Sequence, residues 1–470
     1  MERESFEDEE VAGVLNDHYV CIKVDREERP DIDSIYMSVC QALTAHGGWP
    51  LTVFLTPDAK PFYAGTYFPK HDRMGMPGLL SILNQIQKIW ITDKRDLLSS
   101  ADKIIDAISQ TGSRGSTGQE PEAMITKAYD YFRYSFDSTF GGFGSAPKFP
   151  TPHNLIFLLH YYYTHKEEQA LHMVEKTLDA MYRGGIFDHI GYGFSRYSTD
   201  KRWLVPHFEK MLYDNALLAI AYLEAYRMTH KAQYAQVVRK IFTYVSRDMT
   251  SPDGAFYSAE DADSEGEEGK FYLWTLKEIK AVLGEQNGDK FARLFDVTED
   301  GNFEHSNILN LINIKLQNSD EDFAERCRSR LFEHREKRIH PFKDDKILTA
   351  WNGLMIAAYA MGGRILGEEA YTKQAQRALT FILKSLVNND GRLLARYRAG
   401  EASIPGYADD YAFLIWGLLE LYETTYEPDY LKQAIQFNDD MLKLFWDERE
   451  GGLFLYGSDA EALVVRPKEV

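Results

Sequence analysis

At 470 residues the chain has room for two or three domains, and with 44 % hydrophobic residues it can bury a substantial core. A formal charge of −19 repels phosphate backbones and anionic membrane surfaces, which excludes nucleic acid and membrane as partners. No apolar run approaches the roughly 18 residues of a transmembrane helix. Met1–Glu10 is acidic where a signal peptide would be basic, and Cys21, Cys40 and Cys327 are few and far apart, as in a reduced, cytoplasmic protein.

The elements then follow in chain order. Ser5 and Asp8 read as a capping-box start before a helical face of Val11, Val14 and Leu15. Val20–Val24 reads as a buried strand, 31–43 as a helix, 51–55 and 62–64 as a strand hairpin turned at Thr56–Lys60, and a long amphipathic helix follows Pro77. Gly47-Gly48-Trp49-Pro50 places a proline at a strand start, where a cis bond (Pro50) and an ordinary trans bond are both admissible. Gly112–Gly118 lacks apolar residues and reads as a linker, giving an α/β domain over 1–110, a linker over 111–120 and a helical domain over 121–470.

Beyond the linker, helical periodicity covers 122–138, 153–164, 168–183, 207–228, 231–248, 324–338, 348–364, 369–387, 408–425 and 429–445. Between helices a theme of glycines followed by apolar residues recurs, at 141–143, 184–186, 253–256, 390–393 and 451–454. Read as left-handed helix caps, these glycines imply helix pairs stacked as a solenoid or a closed toroid, with the long loops gathered at one end. The 13 % aromatic content fits either ligand-lined clefts or plain helix packing.

Chemistry-bearing residues concentrate in those loops. In the run 205–215, Pro206 suits a first helical position, which would put His207, Lys210 and Asp214 on one helix face beside Glu209. Asp188 and His189 follow a glycine pair. Two histidines and several carboxylates at one mouth suit proton transfer, either epimerisation beside a carbonyl or glycoside cleavage; equally, they suit a buried polar network that holds the helices together. The acidic loop 257–269 offers Glu260 and Asp261 as acid or base, although Asp261, Asp263, Glu265 and Gly266 also resemble the start of a calcium loop whose final Glu is replaced by Tyr272, and a solvated turn would look the same. Asp410 opens a later helix, and neighbouring Asp409 suits a helix cap. Trp203, Tyr257, Trp351, Asn352 and Tyr411 are the candidate sugar-binding residues. No zinc spacing, Walker loop or dinucleotide fingerprint occurs, so neither metal nor cofactor is expected.

The blocks Met1–Asp8, Val24–Asp31 and Gly47–Phe54, with Ala146–Pro150, Gly184–Asn215, Tyr257–Lys270 and Lys343–Leu354, resemble the DUF255 or spermatogenesis-associated-protein-20-like family over essentially the whole chain. The resemblance implies a thioredoxin-like domain followed by an (α/α)6 toroid of the six-hairpin glycosidase type. In that family a CxxC pair lies just upstream of the position matching Met1, and the helical pattern here has ten or eleven helices rather than twelve. The expectation is therefore a chain truncated at both ends, with an incomplete small domain. The leading functional expectation is carbohydrate processing in the helical domain. The alternatives are dithiol redox chemistry in a longer form, with the toroid as client- or ligand-binding module, or non-catalytic binding.

Overall fold

The computed structural model describes residues 1–111, 120–314 and 318–468; the Gly112–Gly118 linker lies outside the described residues. These residues group into two compact units, one of residues 1–111 with 440–468 and the other of residues 120–439.

The first unit contains helices α1 (Glu9–His18), α2 (Pro30–Thr44), α3 (Leu79–Thr92) and α4 (Lys94–Thr111) around a hairpin of β1 (Thr52–Leu55) and β2 (Pro61–Gly65). Asp8 caps α1 by accepting from the backbone N–H of Glu10 and Val11. Strand residues alternate faces, so the hairpin carries two small cores: Phe54 joins Val11, Leu79, Leu83 and Ile86 on one side, and Ala64 joins Val39, Cys40 and Ile108 on the other. The Trp49–Pro50 peptide is cis. The strand expected over 20–24 does not form. Among the described residues β1 is paired with β2 alone, and Val20 and Ile22 stand 91 % and 77 % exposed.

The second unit is almost wholly helical. Its helices are α5 (Pro121–Ser135), α6 (Pro152–His165), α7 (Glu168–Arg183), α8 (Leu212–Thr229), α9 (Ala232–Asp248), α10 (Leu276–Leu283), α11 (Glu285–Leu294), α12 (Asn318–Arg335), α13 (Thr349–Leu366), α14 (Glu369–Ser385) and α15 (Ala408–Thr425); α16 (Pro428–Phe445) follows. α6, α8, α13 and α15 pack in that order as an inner row. α8 and α13 are buried nearly all round, as a helix with neighbours on every side must be. α7, α9 and α14 bury one apolar face each and lie outside that row. This alternation of inner and outer helices is the layered hairpin architecture of an (α/α) fold. α13 and α15 pack closely at Gly353, where a side chain would run into the backbone of Phe413 and Leu414. Among the described residues α8 packs directly on α13, while α10–α12 form a lobe with its own core of Trp274, Ile279, Phe291, Phe295 and Leu331.

The glycine theme has a different structural meaning from the one expected. The outer helices do not end in left-handed glycine caps; Gly184, at the end of α7, has φ −74° and is glycine because Trp203 lies against it. The recurrent unit is instead a tight turn loop that follows a helix, closed by bridges Phe136↔Phe143, Phe187↔Phe194, Thr250↔Phe256, Val387↔Leu393 and Trp446↔Leu453. The second copy is therefore Phe187–Phe194, not Gly184–Ile186. Its turn runs through Tyr192 and Gly193 at positive φ, where the first copy has Gly141 and Gly142.

Candidate functional site

Residues 206–211 are extended, and α8 begins only at Leu212, so His207, Lys210 and Asp214 do not share a helix face. Two short ladders carry them: β3 (Tyr197–Ser198) with β4 (Pro206–His207), and β5 (Lys210–Met211) with β6 (Ala259–Glu260) and β9 (Lys343–Asp344). Alternation then divides the candidates. Phe208 and Lys210 are buried, whereas His207 and Glu209 are partly exposed.

The partly exposed side holds a connected polar cluster. His207 Nδ1 lies 2.7 Å from Glu268 Oε1 and its Nε2 lies 3.8 Å from Glu209 Oε2. Arg196 Nη1 donates to Glu209 Oε2 at 2.9 Å. Asp214, in the first turn of α8, is buried, and its Oδ2 has no hydrogen-bond partner among the described residues. Burial pushes its pKa up to about 8, the Arg196 guanidinium pulls against the rise and Glu209 adds to it. Burial thus favours the neutral carboxylic acid form of Asp214. Tyr213, beside it, meets Trp351 edge-on at 4.8 Å. The sequence pointed to His207, Glu209, Asp214 and Trp351; Arg196, Tyr213 and Glu268 enter only because the ladders bring them there.

Asp188 and Lys210 belong elsewhere. Asp188 Oδ2 accepts from Lys210 Nζ and Arg335 Nη2, both at 2.9 Å, while its Oδ1 accepts from Arg335 Nη1 and from the backbone N–H of Ile190 and Gly191. Burial alone would raise the Asp188 pKa, but the two cations hold it far below the carboxylate range. Burial also draws the Lys210 ammonium down, against the pull of Asp188. The same lock occurs in two other turn loops. Lys148 Nζ bonds Asp137 at 2.6 Å and the Gly141 carbonyl at 2.7 Å; Lys468 Nζ bonds Asp447 at 2.5 Å and the Gly451 carbonyl at 2.8 Å; Lys210 Nζ likewise bonds the Tyr192 carbonyl at 2.8 Å. Asp188 and Lys210 are thus one copy of a repeated loop lock, a contact set that holds the turn.

Other candidates make buried contacts within the helical unit. His189 is buried against Phe187, Tyr182 and Phe295, donates from Nε2 to the Gly184 carbonyl at 3.1 Å, and is pushed by burial to a pKa of about 3. Asp410 accepts from the N–H of Ala350 at 2.8 Å and of Tyr407 at 2.7 Å, tying together the starts of α13 and α15; burial pushes its pKa up to about 7. Asn352 and Asn215 hold equivalent places in α13 and α8, each clasping the backbone N–H and carbonyl of a loop phenylalanine, Phe256 and Phe194. The Tyr411 hydroxyl does the same for the Leu393 N–H. Trp203 is fully buried, its indole N–H on the Phe140 carbonyl.

Glu260 lies on the Lys210 side, accepting from Tyr244 at 2.8 Å. Asp261 is exposed, and Tyr257 neighbours the charges of Asp345 and Asp253. The calcium-loop reading fails geometrically: β7 (Asp263–Ser264) and β8 (Glu267–Glu268) form a hairpin turned at Glu265-Gly266, which carries Glu268 to His207.

Residues 1–109 match the family described as "Protein of unknown function, DUF255". The chain is 38 % identical to human spermatogenesis-associated protein 20 over 98 % of its own length and 65 % of that protein, so it spans about two thirds of that relative. It is 36 % identical to an uncharacterized protein of Caenorhabditis elegans, covering 99 % of this chain and 70 % of that one. Among solved structures it is similar to a sugar epimerase from a ruminal bacterium (TM-score 0.34, 14 % identity, 71 % of this chain and 90 % of that one). It is also similar to a family 76 glycoside hydrolase (mannosidase) from Bacteroides thetaiotaomicron (TM-score 0.44, 13 % identity, 71 % of each chain). Among the described residues no helix is long and apolar enough to cross a membrane. With an α/β unit that matches DUF255 and identity running on through the helical unit, the chain belongs to the DUF255, spermatogenesis-associated-protein-20-like family.

Proposed function

We propose that the helical unit processes a carbohydrate by general acid–base chemistry, with Asp214 as the acid and His207 as the base. The observation that carries this reading is Asp214 itself: a buried carboxyl whose pKa burial pushes up to about 8, its Oδ2 unpartnered among the described residues, beside the charges of Arg196 and the partly exposed Glu209. Glu268 orients the imidazole, and Arg196 with Glu209 supplies charged partners for hydroxyl groups. Tyr213 and Trp351 add aromatic surface of the kind that pyranose rings pack against. A proton donor and a proton acceptor that share Glu209 as a neighbour serve removal and return of a proton beside a sugar carbonyl, or protonation of a glycosidic oxygen with activation of water.

The test is incubation with reducing sugars and short oligosaccharides in D2O, followed by NMR. Deuterium at the carbon beside the carbonyl marks epimerisation; new reducing ends mark hydrolysis. Asp214→Asn and His207→Gln should each lower kcat by at least about 100-fold with unchanged circular dichroism, and retained turnover in both removes the assignment. The aspartic acid also predicts a loss of kcat/KM above about pH 8 that disappears in Asp214→Asn.

The redox alternative draws on the DUF255 match. The three cysteines present form no pair, with Cys21 exposed and Cys40 and Cys327 buried. We also infer a cytoplasmic location from these free thiols and the acidic surface.

A further inference from the structure

Phe149 was not among the candidates, yet the backbone brings it into line with them. Lys148 and Ser198 exchange both backbone hydrogen bonds at 2.8 Å, and Ser198 in turn faces Pro206 across the β3–β4 ladder. Three short segments therefore lie side by side. Their side chains alternate: Lys148, Ser198 and Pro206 are buried beneath, and Phe149, Tyr197 and His207 project from the opposite face. Phe149 stacks on Tyr197 at 4.8 Å and 29°, and Tyr197 on His207 at 5.1 Å and 28°. Phe149 is the outermost ring of the row and 49 % exposed.

We propose that this row is an oligosaccharide track, with Phe149 the platform of a distal subsite; the proposal rests on the carbohydrate reading above. An exposed aromatic held in fixed register is matched by the apolar C–H face of a pyranose, and this match needs no charge. Tyr197 intervenes between Phe149 and His207, so a single sugar engaged by His207 and Asp214 does not reach Phe149. A following unit of the same chain does. The ligand class is therefore a linear oligosaccharide rather than a free monosaccharide.

The test is isothermal titration of the full chain with gluco- and manno-oligosaccharides of one to four units. The expected wild-type result is tighter binding of the trimer than of the monomer by about five- to tenfold, the range one aromatic stack supplies. In Phe149→Ala that ratio falls toward one, and in Phe149→Tyr it is restored. Equal ratios in wild type and Phe149→Ala, or no gain with length in the wild type, overturn the distal subsite while sugar binding stands. No binding of any sugar by the wild type overturns the carbohydrate reading itself, and this proposal with it.

Discussion

Asp214 is a residue whose position costs stability. Its pKa rises from an unfolded value near 3.8 to about 8, so between those values folding must take up a proton that the unfolded chain has released. The contribution is fully present below about pH 4 and is lost as pH rises through about 8. Asp214→Asn, neutral in both states, should therefore stabilise the protein at pH 8 by about 1–3 kcal/mol relative to pH 5 in urea melts, while activity falls. His189 has the opposite sign. Its folded pKa of about 3 lies below the unfolded 6.5, so its contribution is present above pH 6.5 and is lost as pH falls toward 3. Much of this was legible in the residues themselves: a histidine and acids clustered within one loop announce themselves by type. Arg196, Tyr197 and Glu268 did not, because their places depend on which strands pair, and two-residue ladders leave no periodicity to read. Assigning a helix to 206–211 mixed the two faces of an extended segment, and so joined Lys210 to His207.

At the scale of the element, the turn loop with its lysine is the recurring device. Asp137, Asp188 and Asp447 each place one carboxylate oxygen on backbone N–H groups of the turn and the other on a lysine that also bonds a turn carbonyl. Removing one member of a buried pair leaves an uncompensated charge, costing about 3–5 kcal/mol. The copies differ in a way that makes a comparison. Lys148 is the cation seen on Asp137, whereas Asp188 also has Arg335. Lys148→Met should therefore destabilise by about 3 kcal/mol or more, and Lys210→Met by less, since Arg335 remains; chemical denaturation of both variants measures the difference. The repeat could have been found from spacing, since Phe136-Asp137, Phe187-Asp188 and Trp446-Asp447 each precede a Phe or Leu at Phe143, Phe194 and Leu453. The Gly184-Gly185 pair masked the second copy by offering a better glycine match a few residues too early.

On the scale of the whole molecule, the helical periods were the most readable signal: α7, α9 and α14 show one apolar stripe each, and their expected spans nearly coincide with those observed. The short α10 and α11 were missed, being little longer than two turns. The strand over 20–24 was expected from composition alone, and composition cannot supply the neighbour that a strand needs. That α8 packs on α13 with the α10–α12 lobe set aside was likewise not legible, because both inner helices are apolar all round and indicate no particular partner.

That arrangement has a consequence for how the helical unit breathes. α8 and α13 have no polar face to offer water, so neither persists once its neighbours leave, and their amides exchange with solvent only when the inner row opens as a whole. The α10–α12 lobe has its own core. Arg335, at the end of α12, reaches across to Asp188 and is one fastening whose release requires opening a buried charge. Native-state hydrogen exchange should therefore resolve two free energies within the unit, a lower one for the lobe and the global one for α8 and α13. Arg335→Met should bring the lobe's value down while leaving α13 almost where it was.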